Sequence, residues 1–207
     1  MNPLTSITGT IISGFVLAIV IVFALGPTGV NALEIAVWAH VLVGITWIGL
    51  LYYFNFVQIP AVGAALKDQG GPGPAGINKY VAPRALLWFR WAAVATWLTG
   101  AAALGYLPGA AALGHMGILK AAFTFEGFSF ATSISVIGIG AWLGTIMLFN
   151  VWVLIWPNQQ KILGMKQASP EEIAAAKKIA LMASRTNTLL SIPMLMCMTA
   201  FAHNLPF

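Results

Sequence analysis

Residues 38–53 read WAHVLVGITWIGLLYY. Every residue in the run is apolar, aromatic or small, apart from one histidine, His40. The run sits inside a longer apolar stretch, 33–57, and a helix needs about 20 such residues to cross a hydrocarbon core. The rest of the chain has the same character. Of its 207 residues, 59% are hydrophobic and only 7% charged, with a mean hydropathy of +0.88. A soluble domain carries roughly a quarter charged residues, so this composition cannot cover a water-facing surface. The single cysteine, Cys197, excludes a disulfide framework, a CxxC metal site and a covalently attached c-type haem.

Five stretches are long and apolar enough to cross a bilayer: residues 7–25, 33–57, 85–107, 133–156 and 188–205. The expected fold is therefore all-α, a polytopic membrane helix bundle forming one integral domain over residues 1–207. No Lys or Arg precedes the first stretch, so it lacks the basic region of a signal peptide and reads as a retained helix. Residues 58–84, which include KDQGGPGPAGINKYVAPR, read as a Gly/Pro-rich loop. Residues 157–187 form a second connection. Within it, Ser169, Pro170, Glu171 and Glu172 mark the start of an amphipathic helix that runs into the last span. Pro193 is placed to kink that helix.

Charge sets the expected orientation. Lys67, Lys79, Arg84 and Arg90 flank the first connection, and Lys161, Lys166, Lys177, Lys178 and Arg185 lie in the second. Only Lys120 falls in the opposite connection, 108–132. The positive-inside rule makes the two basic connections cytoplasmic, the N-terminus inside and the C-terminus outside. The net charge of +5 thus reports topology and gives no reason to expect a nucleic-acid partner. The expected location is a bacterial inner membrane, with lipid as the surrounding partner.

This topology carries all three histidines toward the outer face. His40 lies about 10 Å below the outer end of its span, His203 ends the last span, and His115 sits in the outer connection. An ionisable side chain inside a membrane is a functional candidate by default. Two readings of His40 stand side by side. It is either a packed histidine bonded to a carbonyl or hydroxyl, or an axial ligand of a b-type haem. Gly44 and Trp47 share its helical face; a glycine there leaves room for a flat macrocycle, and an indole can line it. His203 is the candidate second iron ligand. His115 and Met116 are weaker, since a loop histidine is usually solvated.

Other features read as structural. Gly140 and Gly144 form a small-xxx-small contact. Trp88 and Trp91 suit an interfacial belt with Arg90, and Trp97 suits the bundle. Asn55, Gln58, Asn158 and Gln159 cap helices or bond across the bundle. Glu126 and Lys120 read as a solvated pair. There is no P-loop, dinucleotide-binding glycine pattern, HExxH or Ser-His-Asp set, and no internal repeat stands out. Five carboxylates in all leave little for acid–base work or a hard-metal site.

Four segments together resemble a known family: WAHVLVGITWIGLLYYFNF (38–56), LLWFRWAAVATWLTGAAAL (86–104), GTIMLFNVWVLIWPNQQKILG (144–164) and SRTNTLLSIPMLMCMTAFAH (184–203). The chain is similar, over most of residues 33–206, to the membrane domain of the bacterial urate hydroxylase/urate oxidase family (PuuD-type, urate oxidase N-terminal domain). The first span and residues 108–132 stand outside the resemblance. It implies oxidation of urate at the membrane, with electrons passed to a cytochrome c and the respiratory chain. His40 matches the histidine of the family's second span. A fainter likeness to the haem b-binding protoporphyrinogen oxidases of the HemJ type implies haem b at His40. Family members continue into a cytochrome c domain, whereas this chain ends at Phe207. The expectation is then a haem b electron-transfer protein that exchanges electrons with a periplasmic cytochrome c or a larger respiratory or oxygenase complex. The alternative is a cofactor-free accessory subunit.

Overall fold

A computed structural model describes residues 2–26, 29, 31–107, 117–124 and 133–203. Among them there is no strand, so the all-helical expectation holds. The chain divides into two compact units, Met1–Ala32 and Leu33–Phe207. In the first, the Ser6 hydroxyl accepts the Gly9 N–H at 3.0 Å and starts α1, Ile7–Leu25. Beyond Ser13 every residue of α1 is apolar or glycine, and none of its residues is buried.

The second unit opens with α2, Ala32–Tyr52, which passes through a π-helical turn, Tyr53–Gln58, into α3, Ile59–Lys67. A second π turn, Ile77–Val81, leads into α4, Ala82–Tyr106. Then come α5, Gly117–Thr124, and α6, Ser133–Phe149. A third π turn, Asn150–Ile155, joins α6 to α7, Trp156–Ile162. The last helix, α8, runs unbroken over Pro170–His203 with Pro193 inside it.

The expected loop 58–84 is corrected here: only residues 68–74 lie outside helix. The reason lies in the prolines. A proline removes one backbone donor and crowds the carbonyl four residues earlier, which normally ends a helix. Each π turn stops two residues short of a proline: Pro60, Pro83 and Pro157. In each case the residue before the proline donates five residues back: Ile59 to Phe54, Ala82 to Ile77 and Trp156 to Val151. The wider turn accommodates the ring, and the helix continues through it. The two true connections are closed by Gly73 (φ 67) and Gly164 (φ 70), both in the left-handed region that glycine favours.

Trp47, Leu51, Phe54, Phe89, Met147 and Val151 form the heart of the main core, where α2, α4, α6 and α8 meet. A smaller cluster of Leu104, Ile118, Ala122 and Ile137 seats α5 against α4 and α6. A Cβ at Gly138 would collide with the Ala122 carbonyl, so that seat requires glycine. The outer faces carry large apolar side chains, among them Ile45, Leu98, Phe149 and Ile192.

Three helical stretches among the described residues are long and apolar enough to cross a membrane: Ile7–Leu25, Ala32–Lys67 and Ile134–Ile162. They coincide with the first, second and fourth expected spans. The stretches expected at 85–107 and 188–205 are not among them. Arg84 and Arg90 lie in α4, while α8 carries five charged residues in its first half and Asn187, Thr188 and Ser191 beyond them.

Candidate functional site

His40 projects from α2 onto α4 and is half-buried. Its Nδ1 lies 2.8 Å from the Thr96 carbonyl oxygen and 3.5 Å from the Thr99 hydroxyl. Thr96 and Thr99 are themselves held, because their hydroxyls donate to Ala92 and Ala95 one turn earlier. A carbonyl can only accept, so Nδ1 carries the proton and Nε2 keeps its lone pair. Among the described residues Nε2 has no hydrogen-bond partner. Gly100 makes the position possible: a Cβ there would stand 2.9 Å from His40 Cε1 and 3.0 Å from Nδ1.

The other expected site residues fall as follows. Gly44 borders α4, where a Cβ would meet Thr96 Cγ2 at 3.7 Å, an ordinary contact. Trp47 is 2% exposed in the main core, and its indole N–H has no acceptor there. His203 is the exposed last residue of α8. The contacts of His40 are with α4; none joins it to His203. His115, Met116 and Glu126 lie outside the described residues. Gly140 does face α8, since a Cβ would meet Cys197 Cβ at 3.1 Å, whereas space beside Gly144 is open.

A polar ladder runs through the core along α8. Asn150 donates to Asn187 at 2.8 Å, and Asn187 donates to the Met147 carbonyl at 3.0 Å. Asn55 donates to Ser184 at 2.8 Å. The Ser191 hydroxyl donates to Thr188, so Tyr52 donates to Ser191, 3.0 Å away. Buried amides in an apolar bundle need such partners. The Asn55 and Gln58 side-chain carbonyls are buried with no donor among the described residues.

The bond from Asn55 to Ser184 is the second of the two roles the sequence offered, a bond across the bundle, but a signal was overlooked. Trp47-Ile48-Gly49 with Phe54-Asn55, and Trp142-Leu143-Gly144 with Phe149-Asn150, share the pattern W-[IL]-G-x4-F-N. Both asparagines lie in π turns, and both bond to α8. The repeat marks two helices that dock on α8 by the same device.

Far from His40, Ser169 and Glu172 cap α8 reciprocally. The Glu172 N–H donates to Ser169 Oγ at 3.2 Å, and the Ser169 N–H donates to Glu172 Oε2 at 2.9 Å. That backbone donor, then Lys161 at 3.4 Å, hold the Glu172 carboxyl below its ordinary range.

The molecule is thus an all-helical protein with at least three helices fit to cross a membrane and a half-buried histidine fixed between two helices. Residues 108–205 match the urate oxidase N-terminal family. The matched stretch, from α5 to α8, is just under half of the chain. The match takes in the connection 108–132, which the sequence resemblance had left out, and it includes His203. His40, Gly44 and Trp47 lie before it. Nothing matches among curated proteins or among solved structures.

Proposed function

We propose that this chain is a polytopic membrane protein that carries haem b on His40 and transfers electrons near the outer face. One observation carries the reading: His40 Nδ1 is bonded to the Thr96 carbonyl, and Nε2 keeps its lone pair. Iron-ligating histidines characteristically give their other ring N–H to a carbonyl or carboxylate, which fixes the tautomer and the ring orientation. The residues fit one axial ligand. Gly44 and Trp47 contribute packing, and His203 is the candidate for a second ligand. Haem b, when bound, supplies a one-electron carrier. The chain's own part is to hold the imidazole through Thr96, seat its ring against Gly100 and keep the surroundings apolar.

The match of residues 108–205 to the urate oxidase N-terminal family supports urate as the electron donor and a periplasmic cytochrome c or a larger respiratory complex as the acceptor. Five spans in a bacterial inner membrane, with the basic connections inside, complete the reading. Arg90 stacking on Trp156 supports it, because the contact brings the two basic ends of the bundle together.

The Thr96 bond equally satisfies a histidine without any metal, which favours a second reading: a cofactor-free accessory subunit packed in a larger complex. Oxidised and dithionite-reduced visible spectra of the chain, purified in mild detergent from haem-replete cells, decide between them. A Soret band with sharp reduced α and β bands is expected, with both lost in His40→Ala while helicity is retained. A featureless spectrum from folded protein overturns the redox reading. Titration of the haem-loaded chain with urate then tests the donor.

A further inference from the structure

Between α4 and α6 an open groove of about 570 Å³ runs along the bundle surface. Trp91, Val94 and Trp97 form one wall, and Leu148, Phe149 and Trp152 the other. Three of its polar side-chain groups are already engaged. The Trp97 indole donates to Thr145 at 2.9 Å, Thr145 donates to Ala141, and the Trp152 indole donates to the Arg90 carbonyl at 3.2 Å. Trp91 and Trp152 close the groove edge to face, with ring centroids 5.3 Å apart.

Arg90 stands just beyond that end, next to Trp91 and with its carbonyl bonded to Trp152. Its guanidinium carbon lies 3.8 Å from the centre of the Trp156 ring, a contact that fixes the plane of the fork. Among the described residues none of its side-chain N–H donors meets an acceptor, and no carboxylate pairs with it. Neither α4 nor the stretch from α6 to α7 contains an Asp or Glu. A guanidinium without a counter-ion at the end of a dry aromatic groove calls for an amphiphile with an anionic head. From Trp91 to Trp97 the groove extends about 9 Å along the helix.

We infer that this groove is a binding site for an anionic phospholipid, with its phosphate paired to the Arg90 fork and an acyl chain laid between α4 and α6. The inference rests on the reading that the chain spans a bilayer. A phosphate diester offers two oxygens to the planar fork. A zwitterionic lipid brings its own cation to the same place and leaves the Arg90 charge less well neutralised.

The test is native mass spectrometry of the detergent-purified chain with phosphatidylglycerol or phosphatidylcholine added. The expected result is one retained phosphatidylglycerol, in preference to phosphatidylcholine. Arg90→Gln lowers that retention about fivefold, the worth of one cation near an anionic headgroup. Leu148→Trp fills the groove and abolishes retention with Arg90 intact. Equal retention of the two lipids overturns the inference, as does full retention in a folded Arg90→Gln variant. If a variant does not fold, the wild-type preference decides alone. Flotation with liposomes separates the two layers of the argument: a chain that does not float removes the membrane reading, whereas one that floats without lipid preference removes only the site.

Discussion

At the scale of the residue, two glycines beside His40 make opposite demands. A methyl group at Gly100 would press on the imidazole at 2.9 Å, whereas one at Gly44 would make ordinary contact at 3.7 Å. Gly100→Ala is expected to displace the ring from the Thr96 carbonyl and to cost about 1–3 kcal/mol, as overpacking does. Gly44→Ala is expected to be neutral or to gain about 0.5–1 kcal/mol from helix propensity. Thermal unfolding in detergent compares them, and equal melting temperatures would remove the role given to Gly100. His40 was legible as a candidate because one titratable ring in an apolar run has no other neighbours in sequence to explain it. Its true partners, Thr96, Thr99 and Gly100, were not legible, because they come from another helix. Gly44 drew attention by sharing the helical face, yet nearness along one helix does not reveal what the opposite helix presents.

At the scale of the element, the prolines misled and the caps did not. Pro60 and Pro83 read as loop because an α-helix cannot carry them without loss, and nothing local announces that a π turn will absorb the misfit. The start of α8 was readable, since Ser169 through Glu172 is a purely local device. It also makes a pH prediction. The folded state holds Glu172 below its ordinary range, so the unfolded end binds the proton more readily. The contribution of the cap is complete above the ordinary glutamate value, about 4.3, and is lost as pH falls through the lowered folded value. Amide protection factors over residues 170–174 should fall in that window, and Glu172→Gln should flatten the dependence. Deeper in α8, Asn187 is fully buried between Asn150 and the Met147 carbonyl. Asn187→Ala strands both partners and is expected to cost about 1–3 kcal/mol. A loss no larger in Asn187→Ala than in the exposed Thr186→Ala would mean that the ladder contributes nothing.

At the scale of the whole molecule, composition made an all-helical fold for an apolar setting plain from the outset, because 7% charged residues leave no alternative surface. How many helices cross was harder to read, since α4 and α8 combine apolar faces with Arg90 and with Asn187. Side-specific labelling addresses this. In a Cys197→Ser background, an impermeant maleimide should reach Gly70→Cys and Lys166→Cys from one side of the membrane and Lys120→Cys from the other. Labelling of all three from a single side would rule out the five-span arrangement. The repeated W-[IL]-G-x4-F-N pattern has a consequence for substitution. Fifteen residues before Asn55 stands His40, and fifteen before Asn150 stands Ser135. The two helices seat on α8 in the same way and differ at this position, a histidine in one and a serine in the other. Substitutions tolerated at the serine are therefore no guide to those tolerated at the histidine, although the two occupy the same place in the repeating unit.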